Sequence, residues 1–199
     1  MFERVVFSSV WMLNPDIVGL VRELGGLGYV TARVRPVFDG YDIGFLEARN
    51  VIAIKGMVRV SYDFGRRMLG VEGVKVGEVV LCAGEVEKVL DKLGVNVEDG
   101  VLFYEVQVRG RVSGVDLPKK EVKLGDRVLM GLVTDYVSGN PGTTRFLHVR
   151  VYPLWATWKE KPRVYELTVV YRDDKRVLME FLENVENVLN GFLQSLSSL

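Results

Sequence analysis

The feature that most restricts the fold is a long stretch of helical periodicity at residues 174–196. At 100° per residue, its ten apolar side chains fall within an arc of about 160°, and the opposite side holds glutamates and asparagines. A coiled-coil seam uses a narrower apolar face than this. We therefore predict one long amphipathic helix whose apolar face packs on a sheet. The apolar positions are Val177, Leu178, Phe181, Leu182, Val185, Val188, Leu189, Phe192, Leu193 and Leu196.

Most of the remaining chain has the pattern of β-strands. Valine, which is stiff at χ1 and suits a pleated surface, supplies 37 of the 199 residues. Apolar and polar residues alternate over 101–112, and Asp39-Gly40 between two strand-like runs is a strong hairpin signal. Short amphipathic helices are predicted at 17–24 and 85–93, each followed by a glycine. Many strands with few helices favour an α+β fold with antiparallel sheet, two short helices and the long C-terminal helix.

The chain shows no sequence boundary between domains. Neither a polar linker nor a low-complexity segment divides it, so we predict one compact domain over 1–199. Two closely packed lobes, about 1–114 and 120–199, are the alternative. An internal duplication is also open, because a shift of 69 positions places the first short helix on the second and residues 12–38 on 81–107. Two unrelated helices with the same terminal glycine would align equally well.

Composition excludes several classes of protein. The 26 basic and 26 acidic residues cancel, and 48% of the residues are hydrophobic, which excludes a disordered chain. Cys82 and His148 are the only residues of their kinds, so we expect no disulfide, no cysteine–histidine zinc site and no cofactor. The sequence has no long apolar span and no signal peptide, so we expect a cytoplasmic protein without a membrane partner. The scarcity of glutamine is typical of a thermophilic source, and the composition is archaeal-like.

Residues that could support catalysis are isolated from one another in the sequence. His148 shares a predicted strand face with polar and aromatic residues, which is typical of a surface histidine. Cys82 ends the predicted strand Glu78–Cys82 and resembles a small buried hydrophobe. The loop Gly139–Thr144 has glycines and hydroxyls but no lysine, and a strand follows it, so a hairpin loop is favoured over a phosphate site. We predict no catalytic residue, although a carboxylate or tyrosine site leaves little trace in a sequence.

A tryptophan pair is the strongest candidate for a binding surface. Trp155 and Trp158 lie at a predicted strand end and turn, and Arg163 follows them. Tryptophan, tyrosine and arginine are enriched at interface hot spots. The alternative is that both indoles cover one end of the core, with a cation over a ring. We therefore predict a non-catalytic accessory or scaffold module that binds another protein or itself, with these three residues as the partner-binding site.

Two other functions stay open. The order of one strand, one helix, many antiparallel strands and a C-terminal helix resembles the helix-grip fold, in particular through Asn14-Pro15 and the helix at 174–196. That resemblance implies a carrier of a hydrophobic small molecule in a cavity under the terminal helix. Single-stranded nucleic-acid binding is the weaker alternative. A pI near 6.6 lies well below the basic range of dedicated nucleic-acid binders.

Overall fold

A computed structural model describes residues 2–48, 50–113, 120–124, 127–131, 134–154 and 164–197. The strands are β1 (Phe2–Trp11), β2 (Val30–Thr31), β3 (Arg33–Val37), β4 (Gly40–Gly44), β5 (Val51–Lys55), β6 (Val58–Asp63), β7 (Met68–Gly73), β8 (Val101–Ser113), β9 (Lys120–Leu124), β10 (Arg127–Gly131), β11 (Thr134–Gly139), β12 (Phe146–Pro153) and β13 (Val164–Asp173). The helices are α1 (Ile17–Gly26), α2 (Val76–Lys92), α3 (Val97–Gly100), α4 (Lys175–Glu183) and α5 (Val185–Ser197).

Nine of these strands form one antiparallel sheet, in the order β11-β12-β13-β8-β1-β7-β6-β5-β2. The strands β3 and β4 form a separate hairpin, and so do β9 and β10. The predicted mixture of helices with antiparallel sheet is therefore confirmed. No helix among the described residues has both the length and the apolar content that crossing a bilayer requires.

The large sheet has the same arrangement on both sides of its central β1–β8 pair. The strands β7, β6 and β5 form a meander beside β1, and β13, β12 and β11 form the equivalent meander beside β8. Val6 faces Gln107 in the central pair. A two-fold rotation about that point superimposes the residue pairing of β1, β7 and β6 on that of β8, β13 and β12. A helix follows each meander, α2 after β7 and α4–α5 after β13.

This symmetry relates α2 to the two C-terminal helices. Four buried positions of α2 recur at the same spacing 99 residues later: Val79, Ala83, Val86 and Leu90 correspond to Leu178, Leu182, Val185 and Leu189. The shift of 69 positions considered for the sequence pairs α2 with α1 instead. The helix α1 follows β1, whereas α2 follows β7, so these two helices occupy different places in the connectivity.

The helix α2 is longer than the sequence pattern predicts. The predicted strand Glu78–Cys82 is wrong, because these residues form the first turns of α2, which spans Val76–Lys92. A short apolar run fits a buried helix as well as a strand, and the burial of Val79, Cys82 and Ala83 at helical spacing decides between them. The predicted helix end is correct, since Gly94 follows with φ of 74°.

The C-terminal segment forms two helices where one long helix was predicted. It divides at Asn184, between α4 and α5. The Asn184 Nδ2 donates to the Glu180 carbonyl at 3.0 Å, and the Asn184 backbone N–H bonds to the Phe181 carbonyl. The side chain thus takes the carbonyl that a continuous helix would offer to the Asn184 backbone. The buried positions of both helices still belong to the core between helices and sheet.

Candidate interaction surface

The hairpin β3–β4, here called the arm, stands apart from the large sheet. Its two strands pair only with each other among the described strands. The predicted hairpin forms, but its two-residue turn is Phe38-Asp39, one position before the predicted Asp39-Gly40, since Val37 pairs with Gly40. Phe38 at the tip is fully exposed, and Val37 and Tyr41 are about half exposed. Only Val34 and Ile43 pack partly against the core. A two-stranded hairpin is marginally stable alone in water, and exposing a phenylalanine at its tip does nothing to stabilise it.

An apolar cleft of about 730 Å³ lies where the start of α2 meets the break between α4 and α5. We call it the helix cleft. Its apolar lining is Phe2, Val74, Val76, Val80, Leu182 and Val185. Charged side chains at Lys75, Glu183 and Glu186 complete the lining. The cleft exists because Asn184 interrupts the helix beside the N-terminal turn of α2.

The sheet face opposite the helices carries paired charges in its second half. The carboxylate of Glu166 accepts from Arg109 at 2.8 Å and from the Tyr152 hydroxyl. Burial alone would raise the pKa of Glu166, but these two hydrogen bonds hold it below its ordinary value. Arg172 binds the buried Glu105 at 2.6 Å. Both arginines are paired with carboxylates, so these two do not offer the unpaired positive charge that phosphate binding uses.

The lone histidine belongs to the same face. The His148 Nε2 lies 2.6 Å from an oxygen of Asp135, which also accepts from Arg150 at 2.7 Å. These hydrogen bonds, Arg150 first, lower the pKa of Asp135. No nucleophilic side chain is among the partners of His148. The arrangement fits the predicted polar surface histidine.

A buried polar cluster lies between α2 and the strands beneath it. The Tyr29 hydroxyl donates to Glu85 at 2.6 Å, and Lys55 donates to both oxygens of the same carboxylate at 2.8 and 2.9 Å. Burial, followed by hydrogen bonds with Cys82 and Glu85, raises the pKa of the Tyr29 hydroxyl. Cys82 is a buried free thiol, as predicted from its apolar neighbours. The cluster ties α2 to β5 and to Tyr29, the residue before β2.

The residues predicted as the partner-binding site, Trp155, Trp158 and Arg163, lie outside the described residues. Within the described ranges no three histidine, cysteine or carboxylate side chains come together as a metal site. The loop Gly139–Thr144 connects β11 and β12 and is held by Asn140, whose side chain accepts from the Gly142 N–H at 2.9 Å. The arm was not predicted as a binding element, although Phe38 next to the predicted Asp39-Gly40 turn is a visible signal for it.

Comparison of the chain with protein-family models, curated proteins and solved structures found no match. The chemistry of these surfaces is therefore the basis on which a function is assigned.

Proposed function

We propose that this protein is a non-catalytic interaction module that self-associates by placing the arm of one copy in the helix cleft of another. The fully exposed Phe38 at the tip of the arm is the observation that carries this proposal. Large apolar side chains presented on a projecting element mark interaction sites in soluble proteins.

The size and chemistry of the two surfaces support a second copy as the occupant. The cleft of about 730 Å³ has room for Phe38 together with Val37 or Tyr41, and the greater part of its lining is apolar. If each copy inserts its arm into the cleft of the other, the contact is two-fold symmetric and closes as a dimer. No further copies can then add, so the assembly does not grow into a filament.

Charges beside the two surfaces are complementary. Asp39 adjoins Phe38 at the tip of the arm, and Lys75, which also pairs with Glu78 at 2.9 Å, lies at the rim of the cleft. Arg35 lies in β3 behind the tip, and Glu183 and Glu186 lie on the other side of the cleft. Opposite charges placed this way set the orientation of the arm and speed association more than they add affinity.

The expected dimer is weak. Burying Phe38 contributes about 1.5–3 kcal/mol, and the half-exposed Val37 and Tyr41 together add a similar amount. Two arms then supply roughly 6–12 kcal/mol, against an association cost of about 4–15 kcal/mol. The most favourable combination of these limits leaves a net of about 8 kcal/mol, so we expect a dissociation constant of about 1 μM or higher.

Sedimentation velocity between about 1 and 500 μM tests the proposal. We expect the wild-type chain to dimerise, and both Phe38→Ser and Val74→Glu to remain monomeric. Val74 is 40% exposed, so its replacement does not disturb the core. Met57→Ser is the matched control, because Met57 is 62% exposed at the turn after β5 and lies outside the arm and the cleft lining. A wild-type monomer at 500 μM, or a dimer that tolerates Phe38→Ser, would contradict self-association through the arm.

The apolar lining of the helix cleft also supports a second candidate function, carriage of a hydrophobic small molecule. Native mass spectrometry of the freshly purified protein tests it directly. A carrier would retain a small-molecule adduct in wild type and in Phe38→Ser, and would lose it in Val80→Glu. A chain that carries no adduct, and whose dimer depends on Phe38, excludes the carrier in favour of self-association.

The finer expectations from composition also remain proposals. A cytoplasmic location is tested by fractionating the source cells, where recovery with the membrane or outside the cell would contradict it. A heat-adapted source predicts a melting temperature well above the mesophilic range of about 45–65 °C. If the predicted contact of Trp155, Trp158 and Arg163 forms, the variant Trp158→Ser should dimerise more weakly than wild type in the same sedimentation series.

A further inference from the structure

The sheet face opposite the helices has a second cavity, in the first half of the molecule. Its volume is about 640 Å³, and we call it the outer groove. Its floor is a row of small residues on neighbouring strands, in which Gly70 of β7 faces Ser61 on one side and Ser8 on the other. The segment that follows β4 contributes Glu47 and Asn50 to its wall.

The two-fold relation of the sheet shows that the row of small residues belongs to the first half. The positions equivalent to Ser61, Gly70 and Ser8 are Arg150, Thr168 and Arg109, which face one another in the same way across β12, β13 and β8. Longer side chains therefore occupy the same row in the second half. The groove is present because Ser61, Gly70 and Ser8 are small. The equivalent row in the second half carries two arginines.

Charged groups line the groove as ion pairs. Arg4 binds Glu72 at 2.7 Å, Arg59 binds Glu47 at 2.7 Å, and Arg66 lies 3.8 Å from Asp63. Among the described residues of the groove, three guanidinium groups and three carboxylates leave no net charge. An anion would have to compete with the carboxylates already present, and an apolar molecule would remove these charges from water without replacing their hydrogen bonds.

A neutral hydroxyl group does not compete with the carboxylates as an anion would. It also replaces the hydrogen bonds that the charged groups lose when water leaves. It donates to a carboxylate and accepts from a guanidinium, so a pair of neighbouring hydroxyls can bridge an ion pair that stays intact. The side chains of Ser61 and Asn50 make no hydrogen bond to another described residue, and both line the groove. They provide further polar groups for a ligand of this kind.

We propose that the outer groove binds a neutral, polyhydroxylated molecule of the saccharide class. A volume of about 640 Å³ is within the range of small-molecule sites. The site lies on the opposite sheet face from the helices that form the helix cleft, so it does not depend on the proposed self-association.

Titration of the ¹⁵N-labelled full chain with glucose, ribose or maltose, followed by amide chemical shifts, tests the proposal. Sodium sulfate serves as the anionic comparison. We expect at least one saccharide to shift the amides of Ser8, Ser61 and Gly70 at millimolar concentration, and sulfate to leave them in place. Sulfate shifting these amides at a lower concentration than any saccharide would overturn the proposal, and so would the absence of a saccharide response.

Two variants and a matched control make the test specific to the groove. Ser61→Arg introduces the residue of the equivalent position and should weaken saccharide binding at least tenfold. Glu47→Gln removes one acceptor at an exposed position and should weaken it about threefold, which keeps the test valid if Ser61→Arg does not fold. The control is Arg150→Ser, the reverse exchange in the other half, which should bind as wild type does. Unchanged binding in Glu47→Gln and in a folded Ser61→Arg overturns the assignment.

Discussion

Replacement of Leu189 by alanine measures how much the packing of the C-terminal helices on the sheet contributes to the free energy of unfolding. Leu189 is 4% exposed and belongs to the core cluster that α5 shares with the strands. Removing a buried leucine side chain loses its transfer free energy and leaves a cavity that the neighbours fill only in part. We expect Leu189→Ala to lower the free energy of unfolding by about 2–5 kcal/mol. For a chain of this length the melting temperature should fall by roughly 4–20 °C.

The preceding residue provides the control. Val188 is 47% exposed, so Val188→Ala should change the free energy of unfolding by less than about 0.5 kcal/mol. Both variants are compared with wild type by guanidinium chloride unfolding, where a change in midpoint at constant slope reports stability alone. Equal values for the two variants would show that α5 does not pack on the sheet. The apolar face of the helix would then be available to a partner, and the conclusion that its buried positions stabilise the fold would be wrong.

Three further predictions address the helices, the paired charges and one loop. Truncation after Arg176 should abolish soluble folding, because it removes the buried Leu178, Leu182 and Val185, whereas loss of 197–199 should leave the circular dichroism spectrum unchanged. The lowered pKa of Glu166 stabilises the fold at neutral pH, and this contribution is lost as the pH falls through that pKa. Urea unfolding should therefore separate Glu166→Gln from wild type more at pH 7 than at pH 3, unlike the exposed control Glu180→Gln. Gly139→Ala should destabilise the chain by more than about 1 kcal/mol, since Gly139 has φ of 84° and a Cβ there would lie 2.6 Å from the Arg145 carbonyl oxygen; a melting temperature equal to that of wild type would contradict this.

Local signals in the sequence were sufficient for much of the secondary structure. The alternation over 101–112 predicts β8 almost to the residue, because Val106 and Val108 on one face are buried in the core while Arg109 and Arg111 on the other are exposed. Asp39-Gly40 predicts the arm, since few dipeptides adopt the backbone of a tight hairpin turn. Each of these signals lies within a few residues of the structure that it specifies.

Where two local readings were equally good, the tertiary structure decided between them. The start of α2 reads as a strand because a short apolar run has no clear period, and only its packing on β1 and β7 makes it a helix. The division at Asn184 could not be predicted, because an asparagine side chain is compatible with a continuous helix and with a break. Periodicity still assigned the buried positions of α4 and α5 correctly, because the interruption leaves their apolar faces on the same side.

Local patterns were enough to predict an antiparallel α+β chain with a terminal amphipathic segment, because propensity and periodicity act between near neighbours. The surfaces could not be predicted in this way. The helix cleft joins Val74 to Val185, and the outer groove joins Ser8 to Ser61, so each is formed by residues far apart in the chain. Strand order and register bring such residues together, and these follow from the packing of the whole sheet, which no local window of sequence contains.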